Sequence, residues 1–75
     1  MNINFSSINK KINYESTCLN TDIFAEIEEK LYKKYPEYRE TNNDFLHNGK
    51  KILRFKTIDD NKIKSGDQVI LVIPS

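Results

Sequence analysis

The chain has 75 residues, which is enough for one domain but not for a deep catalytic cleft, because a domain of this length buries only ~60% of the surface that its unfolded chain exposes. Hydrophobic residues make up 37% of the chain and charged residues 31%, and this balance predicts a folded globule. Twelve basic residues against eleven acidic ones leave a net charge of +1, so the chain lacks the basic excess typical of nucleic-acid binding.

Neither a membrane segment nor a leader is apparent. No apolar run reaches ~18 residues, and the start at residues 1–4 lacks the basic and apolar regions of a signal peptide. We therefore expect no membrane partner and a location in the cytoplasm or the nucleus. Cys18 is the only cysteine, so an internal disulfide or a metal site of paired thiolates is excluded, and we expect no cofactor.

The first element is a β-hairpin. Ile3 and Phe5 alternate with polar residues, and Ile12 and Tyr14 do the same after a polar break at residues 9–10. Alternation with a period of two is typical of a half-buried strand.

The next element is a helix over 22–35. Phe24, Ile27 and Leu31 recur at helical spacing, and Tyr35 continues the same side. The residues expected on the opposite, solvent face are Glu26, Glu28, Glu29, Lys30, Lys33 and Lys34.

Both ends of this helix carry local signals. Thr21 or Asp22 is expected to cap its start with a side-chain oxygen. Lys33 and Lys34 suit the negative end of the helix dipole, and Pro36 is expected to stop the helix.

A second hairpin follows. Two short strands, at 45–47 and 50–53, flank Asn48-Gly49. Because both central residues of a type I′ turn need positive φ, Asn-Gly between alternating strands is a strong hairpin signal.

The chain then passes through a long polar connection to a final strand. Ile58 and Ile63 are expected to pin the connection to the core, and a turn at 65–67 precedes the apolar run 69–73, which Pro74 ends. The order is therefore strand, strand, helix, strand, strand, connection, strand. It predicts one α+β domain over residues 1–75, with a mixed sheet wrapped round one helix.

The spacing of apolar and turn residues in the second half resembles the ubiquitin superfamily. The pattern is Phe45-Leu46-x-x-Gly49-Lys50-x-Ile52, then Thr57-Ile58, Ile63 and Val69-x-Leu71. The first half resembles the family through Ile3-x-Phe5 and the helix triplet Phe24, Ile27 and Leu31. The resemblance implies a ubiquitin-like β-grasp fold.

Two departures from the family pattern change the expected function. Conjugated members end in a flexible diglycine tail, whereas this sequence ends at 72–75 with Val-Ile-Pro-Ser, so conjugation and sulfur carriage are not expected for the sequence as given. At the helix exit, the segment 35–38 with Tyr-Pro-Glu-Tyr replaces the family's usual Ile-Pro-Pro-like residues.

The resemblance also implies a binding surface. If Val69, Leu71 and Ile73 face the helix, the residues between them face the other side of the sheet, because strand side chains alternate. By the same reasoning Phe45 points inward and Leu46 outward. In ubiquitin the corresponding outward positions form the apolar patch that most receptors grip. The residues here that resemble it are Leu46, Gly49, Ile70 and Val72, with Ile8 a looser match.

No catalytic set is expected, so the chain is predicted not to be an enzyme. Its one histidine, His47, lies far in sequence from Cys18 and is expected to be a partly covered strand residue or a pH-sensitive contact at a binding surface. Asp59-Asp60 is expected to be a turn rather than a catalytic pair.

Three tyrosines near basic residues allow a different hypothesis. Tyr32, Tyr35 and Tyr38 could stack on single-stranded nucleic acid, but the simpler interpretation is that Tyr35 closes the core and the other two lie on the surface.

The leading hypothesis is a non-conjugated ubiquitin-like interaction domain, part of a larger protein and monomeric in isolation. It would bind ubiquitin receptors, proteasome subunits or a neighbouring domain through the sheet. The alternatives are a truncated precursor of a conjugatable modifier, or another β-grasp module that binds a small GTPase or RNA. The last should have a basic first hairpin, and only Lys10-Lys11 is available.

Overall fold

A computed structural model describes residues 1–8, 11–41 and 43–73, and this part of the chain is an α+β fold with one mixed sheet and one α-helix. The elements are β1 (Asn2–Ser7), β2 (Asn13–Thr17), α1 (Phe24–Lys34), β3 (Asp44–His47), β4 (Lys50–Lys51) and β5 (Gln68–Val72). A short 3₁₀ helix, Pro36–Tyr38, follows α1. The predicted class and the predicted order of elements are confirmed. No helix in the described ranges is long and apolar enough to cross a membrane.

The sheet has the order β2-β1-β5-β3-β4, and its final strand lies at the centre. β5 runs parallel to β1 and antiparallel to β3, and each of these neighbours forms a hairpin with an outer strand. The apolar run predicted for 69–73 therefore belongs to a strand with a neighbour on both sides. This position explains why its apolar residues do not alternate with polar ones.

Helix α1 buries its apolar side against one face of the sheet. The ring centroid of Phe24 lies 6.0 Å from that of Phe5 and 5.1 Å from that of Phe45. The three aromatic rings therefore pack the helix against β1 and β3. The buried residues predicted for this core are all at most 3% exposed: Ile3, Phe5, Phe24, Ile27, Leu31, Phe45, Val69 and Leu71.

The turn and connection predictions are also confirmed. Asn48 and Gly49 both have positive φ, 52° and 78°, as a type I′ turn requires. Ile58 and Ile63 are buried in the core, and Gly66 has φ 88° in the turn before β5. Both hydrophobic anchors therefore hold the long connection on the domain.

The predicted caps at the start of α1 are wrong. The helix begins at Phe24, and Ile23 occupies the N-cap position without a side-chain hydrogen bond. Asp22 instead accepts a hydrogen bond through Oδ2 from the backbone N–H of Leu19, at 2.9 Å. Its carboxylate stabilises the loop before the helix by accepting from a residue three positions earlier, and neither it nor Thr21 caps the helix. The predicted stop is confirmed, since α1 ends before Pro36.

The connection after β4 supplies the missing cap. The N–H of Phe24 donates to the carbonyl of Lys56 at 3.0 Å, and that of Ala25 donates to the carbonyl of Arg54 at 2.9 Å. Ile23 forms an isolated antiparallel bridge with Thr57. Backbone groups about thirty residues away in sequence thus satisfy the N–H groups that a helix start leaves unpaired.

Three further expectations need correction. β4 ends at Lys51 rather than 53, because the N–H of Leu53 turns to the side chain of Asn61. Ile73 was expected to face the helix, but it is 41% exposed, since β3 begins opposite Val72 and gives β5 no partner further on. Glu28 was expected on the solvent face and is buried at 6% exposure. The predicted turn at 9–10, and the end of the last strand at 74, fall outside the described residues.

Candidate functional site

The register of the two central antiparallel strands places three aliphatic side chains on the face of the sheet opposite the helix. Leu46 of β3 lies opposite Ile70 of β5, and Ile70 lies opposite Ser6 of β1 on its other side. Because the neighbouring Val69 and Leu71 are buried in the core, Ile70 and Val72 point to the other face. We use the name sheet-face patch for the five residues predicted as a binding site, namely Leu46, Gly49, Ile70, Val72 and Ile8.

The residues of the sheet-face patch are accessible to different degrees. Leu46, Ile70 and Val72 are partly exposed, whereas Ile8 is 71% exposed. Ile8 and Ile70 together line a groove of about 450 Å³, and Ile8 and Val72 together line a second groove of about 230 Å³. Ile8, which the sequence matched to the patch only loosely, thus lies beside Ile70 and Val72 in the structure. Gly49 lies in the exposed turn beyond β3, with open space where a Cβ would stand.

The apolar corner of this face has polar borders. At one side Lys51 Nζ lies 3.2 Å from Asp44 Oδ1, and both side chains are exposed. Towards β1 the surface becomes polar, and Gln68 Nε2 donates to Ser6 Oγ at 2.7 Å. The patch is therefore small, and the charge and amide groups around it limit the geometry of a partner.

His47 does not contribute to this surface. His47 is 7% exposed, and its side chain points to the same face of β3 as that of Phe45. Its Nε2 lies 2.8 Å from Asp67 Oδ2. The same oxygen accepts the backbone N–H of Lys64 at 2.9 Å. These two hydrogen bonds, the backbone one first, lower the pKa of Asp67. The His47–Asp67 pair connects β3 to the turn before β5. His47 is therefore more deeply buried than the partly covered strand residue that the sequence predicted.

A second group of polar side chains lies on the flank of α1, and we call it the helix-flank network: the buried Glu28, Tyr32 and Asn43, and the partly exposed Arg54. Glu28 Oε1 forms an ion pair with Arg54 Nε at 2.6 Å, and Glu28 Oε2 accepts the Tyr32 hydroxyl at 2.5 Å. Asn43 Nδ2 donates to the Tyr32 oxygen at 2.9 Å, and Arg54 Nη2 donates to the Asn43 carbonyl at 2.9 Å. The four residues form a closed ring of contacts between the helix and two loops.

The tyrosines expected on the surface belong to the interior. Tyr32 and Tyr38 are buried, and Tyr35 is partly buried against the core. Burial first, and then the hydrogen bond to Glu28, raise the pKa of Tyr32 to about 12. Two of the three rings are therefore unavailable for stacking on a nucleic-acid base.

The other candidate groups have structural surroundings. Cys18 is buried, and burial raises the pKa of its thiol, which disfavours the reactive thiolate. Asp59 and Asp60 belong to a turn, in which the N–H of Asp60 donates to Thr57 Oγ1. Within residues 1–8, 11–41 and 43–73, no three His, Cys, Asp or Glu side chains come together as a metal site.

Sequence reasoning missed one exposed group. Leu53 is 60% exposed and Phe55 is 80% exposed, in the connection after β4. The available signal was a phenylalanine between two basic residues, Arg54 and Lys56, in a segment expected only to pin onto the core.

Comparison with known proteins assigns no family to this chain. No family model matches its sequence, and no curated protein matches it either. Its function therefore has to be argued from the surfaces described above.

Proposed function

We propose that this chain is a ubiquitin-like domain of the β-grasp type that binds protein partners non-covalently and has no catalytic role. One observation carries the proposal: partly exposed aliphatic side chains of β3 and β5 share the face opposite the helix with the exposed Ile8. Apolar clusters that a small domain leaves in contact with water commonly mark partner sites.

The architecture supports the family assignment without carrying it alone. Two hairpins, a helix on one face and a parallel pairing of the first and last strands are compatible with a β-grasp fold. The ubiquitin-like spacing of the second half coincides with structural roles, since Gly49 takes positive φ and Ile52, Ile58 and Ile63 are buried. The partners proposed from this likeness are ubiquitin receptors, proteasome subunits or a neighbouring domain, in the cytoplasm or nucleus.

The size of the sheet-face patch fits a weak contact. Covering apolar surface gains on the order of 25 cal/mol per Å², whereas micromolar binding requires about 8 kcal/mol, so three or four partly exposed aliphatics supply only part of the free energy of a weak complex. Leu46 and Ile70 stand directly opposite each other on hydrogen-bonded strands. Their backbone needs no reordering on binding, which lowers the entropic cost of the complex.

The chemistry of the interior supports a non-catalytic role. A nucleophile needs a neighbouring base and access to substrate. The Cys18 thiol is buried with a raised pKa, and the buried His47 is engaged with Asp67.

A pair of charge substitutions on the same face tests the proposal. Leu46→Arg should keep the fold, with a loss of about 1 kcal/mol or less, because the side chain is already partly exposed. It should abolish binding to a ubiquitin-receptor helix, measured by amide-shift titration with thermal melting as the fold check. Asn4→Arg adds the same charge to the polar half of the face and should bind like the wild type.

Two results would overturn this proposal. If Leu46→Arg folds and binds unchanged, the working surface lies elsewhere. If the wild type shows no shift change with receptor helices at millimolar concentration, the likeness to ubiquitin does not extend to receptor binding.

A further inference from the structure

A second apolar surface lies away from the sheet-face patch, in the connection that caps helix α1. Phe55 is 80% exposed and Leu53 is 60% exposed, and Ile23 at the helix start is 38% exposed. A single exposed apolar side chain is common on protein surfaces, but here Leu53 and Phe55 are both exposed within three residues of each other.

The outward position of these side chains follows from how Arg54 is held. Arg54 Nε is 2.6 Å from Glu28 Oε1, Nη2 donates to the Asn43 carbonyl, and the Arg54 carbonyl accepts the N–H of Ala25. Both the side chain and the backbone of Arg54 thus face the helix. Its two neighbours in sequence, Leu53 and Phe55, are the exposed residues.

The backbone on each side of Phe55 is fixed as well. The Asn61 side chain accepts the N–H of Leu53 at 2.8 Å and donates to its carbonyl at 3.0 Å. The N–H of Lys56 donates to the carbonyl of Leu53, and the carbonyl of Lys56 accepts the N–H of Phe24. An exposed aromatic on a backbone held at both ends is pre-organised, so little chain entropy is lost when a partner covers it.

The charge around this surface is positive. Between Phe45 and Ile58 the sequence has four basic residues and no acidic one. Lys51 and Arg54 are neutralised by Asp44 and Glu28. Lys50 and Lys56 are exposed and have no ion pair to a described residue. Two free cations therefore flank the exposed ring in sequence.

Acidic groups limit the surface on its other side. Asp59 and Asp60 follow directly in the chain, and the N–H of Asp59 donates to the carbonyl of Asn20, next to the loop that holds Asp22. A long polyanion, such as single-stranded RNA or an anionic membrane, would meet these carboxylates and be repelled. A short segment with local negative charge would not.

We propose that Leu53, Phe55 and Lys56 form a second docking surface, which takes an acidic amphipathic segment of a protein partner. An apolar side chain of that segment covers Phe55, and a carboxylate next to it pairs with Lys56. The surface shares no residue with the sheet-face patch, so both can be occupied by different partners or by two parts of one partner.

The test is an amide-shift titration of the full chain with a short synthetic peptide that alternates glutamate with leucine and phenylalanine. The same peptide with lysine in place of glutamate is the control for charge. We expect shift changes at 53–57 and 23–25 with the acidic peptide, weakening as salt rises. Phe55→Ser and Lys56→Glu should each weaken binding about tenfold, whereas Lys33→Glu, the same charge change on the exposed side of α1, should leave it unchanged.

Several outcomes would overturn the proposal. These are no shift change with the acidic peptide at millimolar concentration, equal binding of the lysine peptide, or changes confined to β3 and β5. Shifts at 53–57 with single-stranded RNA or anionic vesicles, but not with the acidic peptide, would replace the proposed partner by another class. If Phe55→Ser does not fold, Lys56→Glu decides, because an exposed lysine without an ion pair contributes little to the fold.

Discussion

Helix α1 is held on two sides by different means. Its apolar side packs Phe24, Ile27 and Leu31 against the sheet, where the gain grows with buried area and hardly depends on orientation. Its flank joins Glu28 and Tyr32 to two loops through charged and hydroxyl groups with fixed geometry. The apolar side supplies most of the stability, and the polar flank determines where the loops sit, including the loop that exposes Phe55.

The largest effect should come from breaking the apolar side. Leu71 of β5 is 1% exposed, so Leu71→Ala should lower the free energy of unfolding by about 2–5 kcal/mol through lost burial and a cavity. Leu53→Ala is the matched control, because Leu53 is 60% exposed and should change it by about 0.5 kcal/mol or less. Chemical denaturation measures both. A loss below half a kilocalorie for Leu71→Ala would mean that the core face of β5 is assigned incorrectly.

Breaking the polar flank should cost less, and two adjacent glutamates make the measurement sharp. Glu28 pairs with Arg54 at 2.6 Å and Glu29 with Arg39 at 2.7 Å, but the side chain of Glu28 is 8% exposed and that of Glu29 is 56% exposed. Glu28→Ala leaves the buried Tyr32 hydroxyl without its acceptor and should destabilise by about 1–3 kcal/mol. Glu29→Ala should cost about 0–1 kcal/mol, as exposed ion pairs do.

Equal losses for the two glutamate variants would contradict the contrast between buried and exposed pairs. The Arg54 side chain is 41% exposed and can be rehydrated, which is why we place the Glu28→Ala loss in the lower range for buried polar groups. The chemical shifts of 53–57 provide a second readout, since Glu28→Ala should move them and Glu29→Ala should not.

Acid should weaken the contact between β3 and the turn before β5. The pKa of Asp67 is lower in the folded chain, so the unfolded chain binds the proton more readily and acid favours unfolding. The stabilisation is complete above the ordinary aspartate pKa and is lost as pH falls through the lower folded value. Urea midpoints measured across this acid range should fall less steeply for Asp67→Asn than for the wild type. Parallel curves for Asp67→Asn and the wild type would refute the assignment.

The smallest effect concerns the Tyr32 hydroxyl at high pH. Because burial and Glu28 raise its pKa to about 12, this phenol stays protonated in the folded chain after an ordinary tyrosine ionises near pH 10. The contribution of the protonated Tyr32 hydroxyl to the free energy of unfolding should be complete below about pH 10 and should decline as pH rises towards 12. Ultraviolet titration of the folded protein should show a late ionisation step that Tyr32→Phe removes. Ionisation of all four tyrosines in one step near pH 10 would contradict the buried network.

The apolar side and the polar flank of α1 also differ in how far the sequence could predict them. Period-two and helical spacing identified the strands, the helix and its apolar residues, because each of these signals lies within one element. Asn48-Gly49 predicted its turn for the same reason. The outward register of Leu46 and Ile70 followed from alternation, although only the structure shows that Ile8 lines grooves beside Ile70 and Val72.

The polar flank could not be predicted in this way. Glu28 and Tyr32 are four residues apart on the helix, but their partners Asn43 and Arg54 come from loops distant in sequence. Helical spacing places Glu28, four residues after Phe24 and three before Leu31, nearer the apolar side than Glu29, but it does not identify the partners of Glu28. Local sequence signals likewise could not predict that Asp22 does not cap α1 or that Ile73 is exposed. Both features depend on neighbouring segments that only the folded chain brings together.

The start of helix α1 has a consequence for the order of folding. Its first two N–H groups find their acceptors on Lys56 and Arg54, about thirty residues later in the chain, and Ile23 offers no local substitute. An isolated helix of eleven residues is marginal in water even when its ends are capped. The first turn of α1 therefore becomes ordered only when the chain beyond β4 has docked. The amides of Phe24 and Ala25 should exchange with solvent hydrogen when that connection detaches, and not by local fraying of the helix end.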